Sequence, residues 1–241
     1  MSCSYFILTK HTDKPIHNND NNQIIYLNKL HHYILPQNNI TYYMNNGLFE
    51  SQLIEWAKQF CDKTKVFLDI GAHTGTYSIA LSNNVSEVYA FEPQKMTYYA
   101  LCGSVALSNI RNINCINYGL GSTEQVGIKD LYIVSDDGGG STVINNTSQT
   151  NILNTEKIEI KTLDSFNIDN IGFIKMDVEE NELHVLYGAI QTLKNSNYPK
   201  ILFECNNAKT NSKELFNFLT KLEYKIIQVY GVNNMYLATQ K

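Results

Sequence analysis

The stretch Asp69-Ile70-Gly71-Ala72-His73-Thr74-Gly75 sets an acid and two glycines between an apolar run, Val66-Phe67-Leu68, and an apolar-periodic tail, Tyr77, Ile79, Ala80 and Leu81. The run predicts a buried parallel strand and the tail the inner face of a helix. Glycines at such a turn let backbone approach a ligand closely, and the helix start offers free N–H groups to an anion. The spacing G-x-x-x-G departs from the G-x-G-x-x-G of dinucleotide turns, and Asp69 would repel a pyrophosphate. One strand later, Tyr89-Ala90-Phe91-Glu92-Pro93 ends in an acid suited to the paired hydroxyls of a ribose. A helix start for a carboxylate, Asp69 for an ammonium and Glu92 for a ribose match the handles of S-adenosylmethionine.

A sheet must hold these turns. Apolar runs predict strands at 66–70, 87–91, 113–118, 172–177, 200–205, 224–229 and 235–238. Helical periodicity falls near 49–61, 75–83, 94–108, 180–194 and 211–222. This rhythm predicts an α/β fold, a doubly wound and mostly parallel sheet with helices on both faces. The short link Gly231-Val232-Asn233-Asn234 predicts a C-terminal antiparallel hairpin. Residues 1–46 are weakly patterned and are expected to form an extension or lid, with the polar tract 17–23 as loop. Residues 47–241 form the main domain. An insertion at about 122–165 is expected to carry a mobile glycine-, serine- and asparagine-rich loop between two β pieces. Within it, Gly138 to Thr142 suits a lid that excludes water from a site.

At these residues a family resemblance appears. The blocks "FLDIGAHTGTYSIAL" from Phe67, "VYAFEPQ" from Val88, "INYGLGS" from Ile116, "FIKMDVEENELHVLYGA" from Phe173 and "ILFE" from Ile201 resemble those of the FkbM-type methyltransferases. Order and spacing agree over roughly residues 48–205. The resemblance implies a class I, Rossmann-like sheet of seven strands and transfer of a methyl group from S-adenosylmethionine to a hydroxyl oxygen. The acceptor it implies is a sugar, such as the deoxyhexose rhamnose in a glycan or its nucleotide-activated precursor. Alternatives are another small hydroxyl compound, a lipid head group, or a silent cofactor-binding partner subunit. It assigns Asp69, Gly71, Ala72, His73 and Gly75 to the methionine end of the cofactor and Glu92 to its ribose. Pro93, Gly119 and Leu120 then lie by the adenine, with Tyr118. Tyr77 either touches the methionine part or faces the core. His73 stands where relatives commonly have Asn, and Glu180 where they usually have Gly.

The acidic block after Lys175 carries the expected chemistry. An alcohol is a weak nucleophile, so a carboxylate positioned to take its proton contributes about 10²–10⁴-fold. Asp177 or Glu179 is the expected base. Glu204, at the next strand tip, either orients a second hydroxyl or satisfies nearby backbone N–H groups. Glu180 and Glu182 suit the dipole of a helix start. Four acids also raise Mg²⁺, but the three on the helix start cannot converge on one ion, and no metal is assigned. Lys175, Asp177 and Glu204 invite comparison with the Lys-Asp-Lys-Glu set of RNA ribose methyltransferases, yet no second lysine is assignable.

The bulk properties bound the partners. A net charge of −4 over 241 residues, with no basic run, disfavours nucleic acid. Five scattered cysteines without a C-x-x-C pair fit a reducing compartment, and no run approaches membrane-spanning length. The expected setting is cytoplasmic, the expected partner a small molecule or glycan with a free hydroxyl, and a homodimer follows family habit.

Overall fold

A computed structural model describes residues 4–11, 16–18, 23–25, 30–144, 152–206 and 212–240. The apolar runs form one seven-stranded sheet: β1 (Val66–Ile70), β2 (Glu87–Phe91), β3 (Ile113–Ile116), β4 (Ile171–Met176), β5 (Lys200–Glu204), β6 (Lys225–Gln228) and β7 (Met235–Thr239). Their spatial order is β6-β7-β5-β4-β1-β2-β3. Strands β5, β4, β1, β2 and β3 run parallel, and β7 is antiparallel to both β5 and β6. The predicted C-terminal hairpin is thus β6–β7. The winding direction changes between β1 and β4, where a doubly wound sheet opens a crevice at its strand tips.

Seven α-helices accompany the sheet among the described residues: α1 (Ile40–Asn46), α2 (Ser51–Ala57), α3 (Thr76–Leu81), α4 (Lys95–Leu107), α5 (Glu182–Tyr187), α6 (Ile190–Asn195) and α7 (Ser212–Lys221). Alternation along each strand divides the core. Leu68, Ile70, Ile174, Met176 and Phe203 pack with Leu183, Leu186, Leu193, Leu215 and Leu219 of α5, α6 and α7. Phe67, Phe173, Leu202 and Leu237 pack with Leu53, Ile54, Tyr77 and Leu81 of α2 and α3. No helix among the described residues is long and apolar enough to cross a membrane.

Three expectations shift. The single helix expected over 180–194 is two, because Asp164 accepts from Thr192 N (2.8 Å), Thr192 Oγ1 (2.8 Å) and Gln191 N (3.2 Å) and starts α6 afresh. Strand β3 stops at Ile116 rather than at 118. Beyond it, Gly119–Leu120 leave to pair with Asn154–Lys161, which also pairs antiparallel with Gly127–Ile133. These are the two β pieces expected of the insertion; its stretch 145–151 lies outside the described residues. Ile16–Asn18 pair with Gln23–Ile25, so His17, Asn18 and Gln23, at the ends of the tract expected as loop, are strand. An Asn/Asp-rich tract is hairpin-prone, a signal the loop assignment passed over.

The N-terminal segment joins the core. Strands Tyr5–His11 and Leu30–Pro36 pair antiparallel. Ser108 and Ser104 of the α4 end accept through Oγ from His32 N and Ile34 N, both at 2.8 Å. Tyr33, Leu35, Tyr43 and Leu48 share a cluster with Ala72, Ile79, Ala90 and Leu101.

The tips of β1 and β4 meet at Gly71. Asp177 N donates to Ile70 O at 2.9 Å. A Cβ on Gly71, whose φ is 78°, would lie 1.8 Å from Asp177 O, a backbone atom that cannot move aside. Gly71→Ala is expected to lower unfolding free energy by about 2–4 kcal/mol in urea titration. Gly127→Ala, at φ 111° with nothing within 4 Å, meets backbone strain alone and is expected to cost about 1–2 kcal/mol.

Candidate active site

A cavity of about 410 Å³ lies at the tips of β1, β2 and β4. Asp69, Gly71, Ala72, His73, Tyr77, Glu92, Pro93, Gly119 and Leu120 line it, as do Asp177 and Glu179. Gly75 does not. It starts α3 beneath the wall, where a Cβ would meet Leu101 Cδ1 at 2.5 Å. Glu204 lines a smaller adjoining cavity of about 130 Å³ with Glu179, Glu180 and Glu182.

The turn after β1 is braced by acids. Asp69 Oδ2 accepts from Ser78 N at 2.9 Å and Ser78 Oγ at 2.6 Å, holding the first turn of α3 in place of a capping side chain. Glu92 reaches back to the turn: Oε2 accepts from His73 N (2.9 Å) and Oε1 from Gln94 N (2.8 Å). Burial pushes its carboxyl up to about 7 against those two bonds. Each carboxylate oxygen keeps a lone pair for a further donor, so Glu92 can still receive a hydroxyl. His73 has φ 51°, a left-handed conformation that Asn tolerates best after Gly. This accounts for the Asn of relatives at this position. Burial holds the imidazole below its usual pKa, and its Nε2 lies 2.7 Å from Asp137 O, which assigns the ring proton to Nε2.

Asp137 belongs to the loop expected as a lid. Gly138, Gly139, Gly140 and Ser141 line the cavity. Gly140 N donates to Glu179 Oε1 (3.0 Å), Thr142 Oγ1 to Glu179 O (2.8 Å), and Asn39 Nδ2 to Asp137 Oδ2 (2.8 Å). The loop is thus tied to the cofactor turn, the acidic block and the N-terminal segment together.

Beyond the turn, the acids gather around one ammonium. Lys175 is buried and its Nζ donates to Asp177 Oδ2 at 2.8 Å. It is the register partner of Asp69 across β4 and β1. Its Nζ also lies 5.1 Å from the ring centre of Tyr77, whose hydroxyl donates to Glu50 Oε2 at 2.8 Å. Burial works against the charge, but Asp177, Glu50 and Asp69 outweigh it and raise the pKa of Lys175. Burial likewise works against Asp177, yet Lys175 and a hydrogen bond from Glu204 keep its pKa below the usual range. Glu204 is the opposite case: burial and the Asp177 charge push it up to about 8. Of the two, Asp177 is the more readily ionised and Glu204 the more readily protonated. Asp177, Glu179 and Glu204 offer oxygens all within 4.8 Å of one another, near enough to share a cation. Glu180 and Glu182, the other acids considered for an ion, are not in this set.

Comparison with known proteins decides the family. Residues 69–226, well over half of the chain, match the methyltransferase FkbM domain. The chain belongs to that family. Its sheet order and its likeness to solved structures give it the class I methyltransferase fold. No protein of curated function matches the sequence. Among solved structures it is similar to the methyltransferase FkbM from Methylobacillus flagellatus KT, with TM-score 0.54 and 16% identity over 74% of this chain and 44% of that one. The chain thus spans less than half the length of that protein. It is also similar to a precorrin-6y C5,15-methyltransferase from Geobacter metallireducens GS-15 (TM-score 0.50, 11% identity, 80% of this chain and 90% of that one). The ribosomal protein L11 methylase of Lactobacillus delbrueckii subsp. bulgaricus gives TM-score 0.50 at 12% identity over 82% of this chain and 81% of that one. At these identities the likeness to solved structures shows the fold.

The methyltransferase carries wall residues that the motifs did not single out. Tyr43, Phe49 and Glu50 reach the cavity from ahead of the matched segment, and Leu131, Ile158 and Ile160 form an apolar wall from the insertion. The alternation of Lys157 to Lys161 was the available signal for the insertion wall. Glu179 and Glu180 both have positive φ, 52° and 79°, a conformation that glycine adopts at less cost. Glu180 lies on the smaller cavity and not on the larger. Glu180→Gly is expected to stabilise the methyltransferase by about 1 kcal/mol, read as a higher urea midpoint. Lys175→Met leaves Asp69 and Asp177 without their cation and is expected to cost about 3–5 kcal/mol in the same titration.

Proposed function

We propose that this methyltransferase methylates a sugar hydroxyl, with Asp177 and Glu204 as the proton-accepting pair. The supporting observation is the Asp177 carboxylate at 2.8 Å from the buried Lys175 ammonium, with a Glu204 oxygen within 4.8 Å, beside the turn at Gly71. We assign Asp69, Gly71, Ala72, His73 and Tyr77 to the methionine end of S-adenosylmethionine, with Gly75 starting the helix behind it. Glu92 takes the ribose, and Pro93, Tyr118, Gly119 and Leu120 take the adenine against Ile158 and Ile160. The cavity volume suits a ligand of this size. When bound, the cofactor supplies an electrophilic methyl group on a sulfonium. The residues of the chain then have two tasks, to hold the acceptor oxygen in line and to take its proton.

Asp177 alone is a weak base, since Lys175 stabilises its anion. Loss of the Glu204 proton changes this. The pair then carries two charges against the single cation of Lys175, with Glu179 adding to the repulsion, and a proton from the acceptor hydroxyl relieves it. Lys175 already supplies the positive charge that a divalent ion would bring, so turnover is expected to survive EDTA. The apolar and acidic lining, without a basic track, favours a small hydroxyl compound over RNA. Glu180 stands off the wall of the larger cavity and so does not narrow it, which favours an active enzyme over a silent cofactor-binding subunit.

The test is release of S-adenosylhomocysteine with sugar acceptors as a function of pH. Raised Glu204 means the reactive, deprotonated pair is scarce below about pH 8, so kcat/KM should rise about tenfold per pH unit up to that value. Asp177→Asn should lower turnover by about 10²-fold or more. It removes the neighbouring negative charge, so Glu204 ionises more easily and the midpoint of the residual activity moves to lower pH. An unchanged midpoint and rate in Asp177→Asn would overturn the pair's role.

A further inference from the structure

We propose that Tyr43, Phe49 and Glu50 form the acceptor subsite of the larger cavity and receive the ring of a polyhydroxylated, six-membered acceptor, an inference that rests on the sugar-hydroxyl reading above. All three residues line the cavity, yet all precede the segment matched by the family. Glu50 enters beside Tyr77 and Lys175, and Tyr43 beside Asp137.

Each residue has capacity that the fold does not use. Tyr43 is 5% exposed, and its hydroxyl has no hydrogen-bond partner among the described residues. The hydroxyl is not among the fully buried atoms left without a partner, and the residue lines the cavity, so the hydroxyl is open to a ligand there. Asp137 on the lid loop is near enough to add to the effect of burial in pushing this phenol up to about 12. Glu50 gives Oε2 to Tyr77, and its Oε1 has no partner among the described residues. Phe49, by contrast, is 39% exposed on a cavity wall.

The aromatic surface is also preorganised. Tyr42 stacks on Phe49 with ring centres 4.1 Å apart and planes at 18°, which holds one face of the Phe49 ring. Tyr43 meets Phe49 edge-on, at 4.9 Å and 72°. Glu50 itself sits in a left-handed conformation at φ 54°, a strained backbone that begins α2 and presents its carboxylate to Tyr77. A pyranose ring has C–H faces that pack on an aromatic ring and hydroxyls at its rim. A phenol and a carboxylate oxygen beside an aromatic face match that pattern, because rigid aromatics give contact area at low entropic cost while polar groups fix orientation. An open-chain head group would leave the aromatic surface unused. Residues 39–50 would thereby set acceptor choice, while the matched segment supplies the cofactor site and the base.

The test uses the full chain with methyl α-rhamnopyranoside and methyl glucopyranoside as ring acceptors, and glycerol and ethanolamine as open-chain ones. S-adenosylhomocysteine release is followed for the wild type, Phe49→Ala, Phe49→Trp and Tyr43→Phe. For the sugar acceptor that is turned over, KM should rise at least about tenfold in Phe49→Ala and about fivefold in Tyr43→Phe, which loses one hydrogen bond. Phe49→Trp should restore KM to within about twofold, and calorimetric affinity for S-adenosylhomocysteine should stay constant in all three. Tyr43→Phe keeps the packing of the ring and remains readable where Phe49→Ala folds poorly. Sugar turnover with KM unchanged in both Tyr43→Phe and Phe49→Ala overturns the subsite alone. A wild type that acts on no sugar overturns the sugar-hydroxyl reading, and the assigned occupant falls with it.

Discussion

The Lys175 ammonium is the charge around which the site is assembled. It is buried, and a buried cation persists only where partners compensate its lost hydration. Here the compensation comes from three separate stretches of chain: Asp177 on the β4 tip at 2.8 Å, Asp69 opposite it on β1, and Glu50 ahead of α2. Each of those acids has a second duty. Asp69 holds the first turn of α3, Glu50 receives the Tyr77 hydroxyl, and Asp177 receives Glu204. One charge thus sets the relative position of the turn after β1, the Glu50 wall and the Asp177 strand tip. The same charge favours the ionised form of Asp177, while burial and the Asp177 charge favour the protonated form of Glu204, so the proposed base is the pair once Glu204 has lost its proton.

Backbone strain concentrates where these parts meet. His73, Glu179 and Glu180 are all left-handed, and they flank the lid loop that His73 and Glu179 tie down. Such conformations cost free energy and persist only where surrounding structure fixes them. The surrounding structure is the rigid pair β1 and β4, whose tips pack backbone against Gly71.

The sheet was legible because most of its strands are short, largely apolar runs that need no partner information to recognise. Glu92 and Asp177 were legible for a related reason, as lone acids at the tips of apolar strands. The structure adds what spacing does not carry. The helix expected over 180–194 breaks because Asp164 caps α6, a bond between residues 27 and 28 positions apart with no local signature. Tyr43, Phe49 and Glu50 lie in or beside weakly patterned sequence, and only folding of the N-terminal segment onto α4 brings them to the cavity. Lys175 stood in plain view but read as a fragment of an incomplete RNA-methylation set. Its role depends on register with Asp69, which a single strand does not reveal. Gly75, expected at the cofactor, instead serves the packing of α3 against Leu101.

The most direct test of the cavity as the cofactor site is calorimetric titration of the protein with S-adenosylhomocysteine, run beside Glu92→Gln and Phe49→Ala. Saturable micromolar binding, weakened at least about tenfold by loss of the Glu92 charge and unchanged in Phe49→Ala, is the predicted result. Absence of binding, or binding indifferent to Glu92, would contradict the assignment of the turn at Gly71 and the acid at Glu92 to S-adenosylmethionine.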